Sequence, residues 1–170
     1  MIESSIPSTV RKRRSSSRKW GIESASIGAE PMKSKRFGEK WVVRLETGER
    51  VVETLTAFCE REKIRAGSFT GVGTCRGAEL GFFDWEKKRY RFKTFKGDFE
   101  ITALVGNISV LGGMTFVHAH VALGDREFRA IAGHLKEAET LATCEVVLAP
   151  LPGVLRRVRD AGSGTSTLKL

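Results

Sequence analysis

The sequence predicts an α+β fold, in which one principal amphipathic helix accompanies a compact, mainly antiparallel sheet. Apolar residues recur at helical spacing in one segment near the start of the folded region, whereas much of the later chain alternates apolar and polar residues as strands do. Glycines interrupt these strand patterns at hairpin spacing. A length of 170 residues corresponds to about one domain, and one helix followed by many short strands is typical of α+β domains.

The helix follows a first predicted strand. Alternation in KWVVRLETGER places Trp41, Val43 and Leu45 on one face of that strand, which ends at a turn at residues 47–48. The apolar spacing then becomes helical and predicts a helix over about 49–63. Its apolar stripe consists of Val51, Val52, Leu55, Phe58 and Cys59.

The chain after the helix is rich in strand patterns. The stretch AGSFTGVGTCRGAELGFFDW predicts two short strands with bends at its glycines. RYRFKTF and FEITALVGNISV predict two more strands, and Gly112-Gly113 predicts a hairpin into MTFVHAHVAL. A turn at Gly124-Asp125 leads into FRAIAGHL, and TCEVVLAPL predicts a late strand.

Residues 1–31 differ in composition from the rest of the chain. They are rich in serine and charge and lack a sustained apolar period, which predicts a disordered basic extension before a domain over 32–170. The net charge is +9, of which six basic and three acidic residues in the extension contribute +3, so the domain carries +6. Such a balance favours anionic partners, of which nucleic acid is the commonest.

Cysteine usage and hydropathy predict a soluble cytoplasmic protein. Cys59, Cys75 and Cys144 are odd in number and scattered, so they indicate buried, reduced thiols rather than a disulfide framework or a thiolate metal site. No run approaches the roughly 20 apolar residues of a membrane-spanning helix. The N-terminus also lacks the apolar core of a secretory signal.

The three histidines of the chain, His118, His120 and His134, lie within 17 residues of one another. In a strand, side chains two apart share a face, so His118 and His120 project together, roughly 6–7 Å apart. The side of His134 depends on the turn between the two strands. An odd loop, such as three residues at 124–126, places it on the histidine face, whereas an even loop does not, unless Gly133 forms a bulge.

Three neutral imidazoles on one face predict a divalent metal site, with zinc the best match. Three protein ligands leave one coordination position open, as in catalytic zinc sites. Because the ligands must be neutral, binding should weaken as pH falls through about 6. The alternative is three histidines that hydrogen-bond on a polar sheet face.

An open metal position raises a second possibility, a metal-dependent hydrolase of unknown substrate. A hydrolase would need a general base, for which Asp125, Glu127 and Glu145 are nearby in sequence. Ser109 with a histidine could form a nucleophile pair, but no GxSxG elbow surrounds it. A binding role is the preferred interpretation, with no catalytic residue assigned.

Basic residues interleave with Tyr90, Phe92 and Phe95 in KKRYRFKTFKG. This pattern can bind nucleic acid by base stacking and phosphate contact. The alternative, which we prefer, is an amphipathic strand whose aromatic side chains face the core. The candidate nucleic-acid contacts are Lys87, Lys88, Arg89, Arg91, Lys93 and Lys96, with Arg11, Lys12, Arg13 and Arg14 in the extension.

Several segments together resemble the plant-and-prokaryote conserved (PPC) domain family, whose members stand alone in prokaryotes and are attached to AT-hooks in plants. They are RFGEKWVVRLETGE, AGSFTGVGTCRGAELGFFD, GDFEITALVGNIS, HAHVALGD and AGHL, in that order. The resemblance covers the chain from about Lys35 onward. It implies a homotrimer and a label of candidate DNA-binding protein. It also matches His118, His120 and His134 to histidines implicated in metal binding in some stand-alone members.

Two features of the plant relatives are altered or missing. The segment with Gly97, Phe99, Glu100 and Ile101 resembles a plant signature for protein partners, but Asp98 and Thr102 depart from it. We therefore interpret Phe99 and Ile101 as core positions. The basic run RKRRSSSRK lacks the Arg-Gly-Arg-Pro core of an AT-hook, although it could contact phosphates without specificity. The family pattern begins just after Met32, which is therefore a second candidate for the translation start.

Overall fold

One sheet with a single helix packed against it accounts for the regular structure in residues 31–160 and 162–170, the part of the chain that this computed structural model describes. The strands and the helix, in chain order, are β1 Lys33–Phe37, β2 Lys40–Leu45, α1 Val51–Arg61, β3 Gly67–Asp84, β4 Arg89–Leu111, β5 Met114–Gly124, β6 Ala130–Pro150, β7 Arg156–Arg159 and β8 Ser166–Lys169. The fold is α+β and mainly antiparallel, as predicted. The predicted extension 1–31 lies outside the described residues except for residue 31.

Four long strands form the centre of the sheet. The strand order is β1-β2-β6-β3-β4-β7-β8, and β5 pairs with both β4 and β6. The strands β3, β4, β5 and β6 therefore close into a ring, in which each pairs with two of the others. All of these pairings are antiparallel, whereas β7 joins β4 in parallel. This ring holds the two histidine-bearing strands, β5 and β6, side by side.

The prediction of several short strands was wrong in three places. The two short strands predicted before residue 85 are one strand, β3, and RYRFKTF and FEITALVGNISV are one strand, β4. FRAIAGHL and TCEVVLAPL likewise belong to one strand, β6, apart from Phe128 and Arg129, which lie in the preceding turn, and Leu151, which follows the strand. The physical reason is the β-bulge, which bends a strand without ending its pairing. Register shifts occur between Gly71 and Gly73 and between Arg76 and Ala78.

Helix α1 packs through the predicted stripe but is capped by a distant side chain. Val51, Leu55, Phe58 and Cys59 are buried. The N-cap residue makes no side-chain cap bond. Instead, the Glu137 carboxylate from β6 accepts the backbone N–H of Val52 at 2.8 Å and that of Glu53 at 3.2 Å. N–H groups in the first turn of a helix have no acceptor within the helix itself. Glu137 supplies the acceptor here, so β6 fixes the start of the helix.

The core lies between α1 and the sheet. Val43 and Leu45 of β2, which were predicted to share one face, are buried, and the ring of Trp41 meets that of Phe58 edge-on at 5.3 Å between centroids. The three cysteines are buried and free, also as predicted. Burial raises the pKa of Cys59, Cys75 and Cys144 to about 12, so these thiols stay protonated. No helix in the described part of the chain has both the length and the apolar character needed to cross a membrane.

Gly106 of β4 lies where the sheet leaves no room for a side chain. It pairs with Ala119, between the partners of His118 and His120. A Cβ atom at this position would overlap the carbonyl oxygen of His118 and the ring of Phe69.

We predict that Gly106→Ala lowers the free energy of unfolding by about 1–3 kcal/mol, because the backbone of β5 and a core ring must both shift. Urea denaturation followed by circular dichroism measures this change. Gly124→Ala is the matched control, since a Cβ atom there would meet Thr102 Cγ2 at an ordinary 3.4 Å. Equal midpoints for the two variants would contradict the proposed close packing.

Candidate metal centre

A five-residue turn, residues 125–129, joins β5 to β6 and fixes their register. The Asp125 carboxylate accepts the backbone N–H groups of Glu127 and Arg129, each at 2.9 Å, and the side-chain Nε–H of Arg129 at 2.9 Å. These hydrogen bonds lower the pKa of Asp125 and keep it ionised. The loop is odd in length, as the metal hypothesis required. It is longer than the three-residue example, so Ala132 pairs with Ala122 rather than with His118.

The odd turn brings all three histidines to one place. His134 pairs directly with His120, and His118 lies two residues earlier on β5. The ring centroids are 5.2 Å apart for His118 and His120, 5.2 Å for His118 and His134, and 5.4 Å for His120 and His134. One ring nitrogen from each histidine lies within 4.8 Å of the others. His120 is exposed, whereas the other two are half-buried, so the cluster opens to solvent on one side.

The lowered pKa values of His118 and His134 suit metal ligands. Burial, followed by the nearby Arg157 charge, lowers the pKa of His118 to about 4. Burial, followed by the electrostatic influence of His120 and Arg157, also lowers the pKa of His134. Its buried Nδ1 has no hydrogen-bond partner among the described residues. Neutral imidazoles with an unused buried nitrogen fit a divalent cation with Zn–N distances of about 2.0–2.1 Å.

Arg157 of β7 belongs to the same cluster and was not predicted from the sequence. Its Nη2 lies 3.1 Å from Nδ1 of His118 and donates to Oδ1 of Asn107 at 2.8 Å. Its Nε donates to Ser109 Oγ at 2.9 Å, and its Nη1 donates to the Ser166 carbonyl at 2.7 Å. Arg157 is 39 residues from His118 in the chain and reaches it only because β7 pairs with β4. No local pattern in the sequence could have indicated this contact.

Aromatic rings border the cluster on the side of His134. The Tyr90 ring lies 4.8 Å from the His134 ring and 5.5 Å from that of Phe92. Gly81, which pairs with both Phe92 and His134, leaves room for these rings, because a Cβ atom there would lie 2.8 Å from Phe92 Cε1. The preferred interpretation that these aromatic side chains face the core was wrong for Tyr90 and Phe92 but is confirmed for Phe95. Tyr90 is 36% and Phe92 44% exposed, and only Phe95 packs against the core.

The candidate nucleic-acid contacts lie close together on one ribbon. Lys87 and Lys88 occupy the turn between β3 and β4, and the other four residues lie on β4. All six side chains are exposed. The four basic residues predicted in the extension, 11–14, lie outside the described residues. In the signature segment, Ile101 is buried and Phe99 packs against the core, as we interpreted them, while Gly97 has a φ of +121° and Glu100 is exposed.

The residues considered for hydrolysis are engaged in other contacts or lie on another part of the sheet. Asp125 and Glu127 both pair with Arg129 in the turn. Glu145 lies opposite Arg44, where β6 pairs with β2. Ser109 is fully buried and accepts a hydrogen bond from Arg157 rather than contacting a histidine. None of these side chains therefore supports a nucleophile or general base beside the histidines.

Comparison with known proteins places the chain in a family. Residues 32–152 match the Plants and Prokaryotes Conserved (PCC) domain. The chain belongs to this family, which is the PPC family that the sequence resembles. A search among curated proteins gave no match.

Several solved structures share this fold. A candidate DNA-binding protein from Bacteroides thetaiotaomicron superposes with a TM-score of 0.80 at 30% identity, covering 82% of this chain and 98% of that one. A PPC protein from Pyrococcus horikoshii superposes with a TM-score of 0.73 at 32% sequence identity, and the match covers 82% of this chain and 94% of that one. A metal-containing protein from Archaeoglobus fulgidus superposes with a TM-score of 0.74 at 32% sequence identity, and the match covers 83% of this chain and 99% of that one.

We predict that His118 in the metal-free protein stays neutral at pH 6 and titrates near pH 4. Burial and the adjacent guanidinium both disfavour the imidazolium, so its pKa falls below the ordinary value. Protons therefore compete with a metal ion for His118 only at a pH lower than the value of about 6 that the reference pKa of histidine indicates. Imidazole nitrogen shifts measured by NMR from pH 3.5 to 8 test this directly, and a midpoint near 6.5 would contradict it.

Proposed function

We propose that the PPC domain of this chain holds one divalent metal ion, zinc, through His118, His120 and His134. The observation that carries the proposal is the convergence of three imidazoles from two paired strands, with ring nitrogens within 4.8 Å. The Archaeoglobus fulgidus relative, described as metal-containing, supports it. Zinc held by three imidazoles supplies a Lewis-acidic centre with a fourth position open to water or a ligand.

We further propose that the protein acts as a stand-alone binding or regulatory module. Metal-dependent hydrolysis remains the alternative, because an open coordination position would allow it. The carboxylates near the histidines in sequence are paired with Arg129 or lie opposite β2, so no general base of this kind favours catalysis. The buried free thiols suit the reducing cytoplasm, which is the location we propose.

We predict that the full-length protein, purified without chelator and dialysed after incubation with zinc, retains about one equivalent per chain. His120→Ala should reduce this to below about a tenth of an equivalent, because two imidazoles are too few for a stable zinc site. The measurement is metal analysis by plasma mass spectrometry. His120 is exposed, so its removal leaves the apolar core intact and the circular dichroism spectrum should be unchanged.

Met114→Ala is the matched control, since Met114 is an exposed residue of the same strand, 72% accessible. Its zinc content should equal that of the unmodified protein. Less than about a tenth of an equivalent in the unmodified protein would overturn the metal proposal and the hydrolase alternative with it. The histidines would then be hydrogen-bonding groups on a polar face.

We also propose weak, sequence-indifferent DNA binding through the exposed basic residues from Lys87 to Lys96. The names of the Bacteroides relative and of a second candidate DNA-binding protein, from Ralstonia eutropha, support this role. Exposed Tyr90 and Phe92 alternate with these cations along β4, so their rings add a surface for base stacking on the other face of the strand. The extension can add non-specific phosphate contacts through Arg11, Lys12, Arg13 and Arg14.

We predict dissociation constants of about 10⁻⁴–10⁻⁶ M at physiological salt, weakening steeply as salt rises because phosphate neutralisation releases counterions. Changing Arg91 and Lys93 to Gln should make the negative slope of log affinity against log salt less steep, by about 0.9 for each lost phosphate contact. Lys40→Gln, on β2 and so separated from β4 by β6 and β3 in the sheet, is the control. Fluorescence anisotropy with two duplexes of unrelated sequence measures this. Tight binding to one duplex at moderate salt would contradict the proposal.

We propose a homotrimer, on the family resemblance. Exposed rings such as Phe82 at 65% and Trp85 at 69% are the kind of surface that subunit contacts cover. Light scattering coupled to size exclusion should therefore give the mass of three chains at micromolar concentration. The mass of one chain would remove this part of the proposal.

A further inference from the structure

Arg157 is a buried cation without an acidic partner in the described part of the chain. It is 9% exposed, and its four hydrogen-bond contacts are to a serine hydroxyl, an amide oxygen, a backbone carbonyl and an imidazole nitrogen. All four acceptors are neutral. A buried charge is costly unless an opposite charge compensates for it, and neutral acceptors satisfy its N–H groups without cancelling the charge.

Metal binding would remove one of these four acceptors. The contact from Arg157 Nη2 to His118 requires a free lone pair on Nδ1. A neutral imidazole has one such lone pair, on the nitrogen that lacks hydrogen. If a metal binds Nδ1, that lone pair is used. If it binds Nε2, Nδ1 must carry the proton. In either case an N–H of Arg157 loses its partner at the edge of the metal centre.

The same event increases the local positive charge. A divalent ion held by three neutral histidines adds two positive charges beside a guanidinium that already lies 3.1 Å from one of the ligands. No carboxylate in the described residues ion-pairs with Arg157. The loaded site would therefore have an open coordination position, an unpaired N–H donor and an uncompensated positive charge in one place. One kind of ligand satisfies all three, namely an oxyanion.

We propose that the metal-loaded site binds a small oxyanion, a carboxylate or phosphate group, that occupies the open metal position and accepts a hydrogen bond from Arg157. The inference rests on the proposed metal site. Guanidinium groups match the oxygen spacing of carboxylates and phosphates, and such charge-assisted bonds are stronger than neutral ones. The depth of Arg157 favours a small molecule over the backbone of a duplex. Water could accept the N–H but would leave the charge uncompensated.

Other features of the histidine cluster agree with a ligand site at this position. The exposed edge at His120 provides an entrance, and the Tyr90 ring beside His134 provides an apolar wall. The Phe116 ring lies under the guanidinium, 5.2 Å from Cζ, which holds it in place. Arg157 follows the residues 32–152 that match the family, so the match itself assigns it no role.

Cobalt(II) provides a direct readout, because its visible absorption changes when a ligand enters its coordination sphere. The full-length protein is stripped with chelator, loaded with cobalt(II) and titrated with sodium acetate, with inorganic phosphate and with neutral acetamide. We expect saturable spectral changes with acetate and phosphate and none with acetamide. Loss of the guanidinium in Arg157→Gln should weaken acetate binding about ten- to hundredfold. It should also strengthen cobalt binding, because a nearby positive charge is removed.

Arg159→Gln is the matched control, since it removes the same charge from an exposed position of the same strand. Its acetate affinity should be unchanged. If Arg157→Gln fails to fold, Arg157→Lys replaces it and should show weaker acetate binding, because the fork of donors is lost.

The outcomes separate the two proposals. Failure of the unmodified protein to bind cobalt overturns the metal site and the oxyanion site together. Cobalt binding with no response to acetate or phosphate leaves the metal site standing and overturns the oxyanion proposal. Equal responses to acetate and acetamide, or equal acetate affinities in Arg157→Gln and Arg159→Gln, overturn it as well.

Discussion

The register between β5 and β6 is the constraint on which the histidine cluster depends. Side chains in a strand alternate between faces, so a slip of one residue would move His134 to the opposite side of the sheet. Five residues in the turn, held by the Asp125 carboxylate, place His134 directly opposite His120. The glycine at 106 lets β4 and β5 approach closely beneath the cluster. Local turn chemistry thus determines whether three imidazoles can reach one metal ion.

The cluster combines groups whose charges oppose one another. Burial and Arg157 keep His118 neutral, which prepares it as a metal ligand. The same Arg157 repels any cation that His118 would bind. Such an arrangement is stable when a negatively charged ligand completes it, because metal and guanidinium then share one counter-charge. On this account, the site responds to an anion and a metal together, a property suited to a binding or regulatory module.

The parts of the fold with local causes were predictable from sequence. Helical spacing gave α1 to within two residues at each end, and Gly112-Gly113 indicated the β4–β5 hairpin. The histidine pattern also indicated the cluster, given an odd turn. The lengths of β3, β4 and β6 were missed because a glycine that bends a strand and a glycine that ends one look alike in sequence. The Glu137 cap and the Arg157 contact were missed because pairing between distant strands creates them.

The most direct test of the central claim is a crystal structure of the zinc-loaded protein with anomalous diffraction data collected on both sides of the zinc absorption edge. The account predicts one anomalous peak per chain, about 2.0–2.1 Å from a ring nitrogen of each of His118, His120 and His134. The absence of a peak among the three histidines, or a zinc ion bound by other residues, would contradict it.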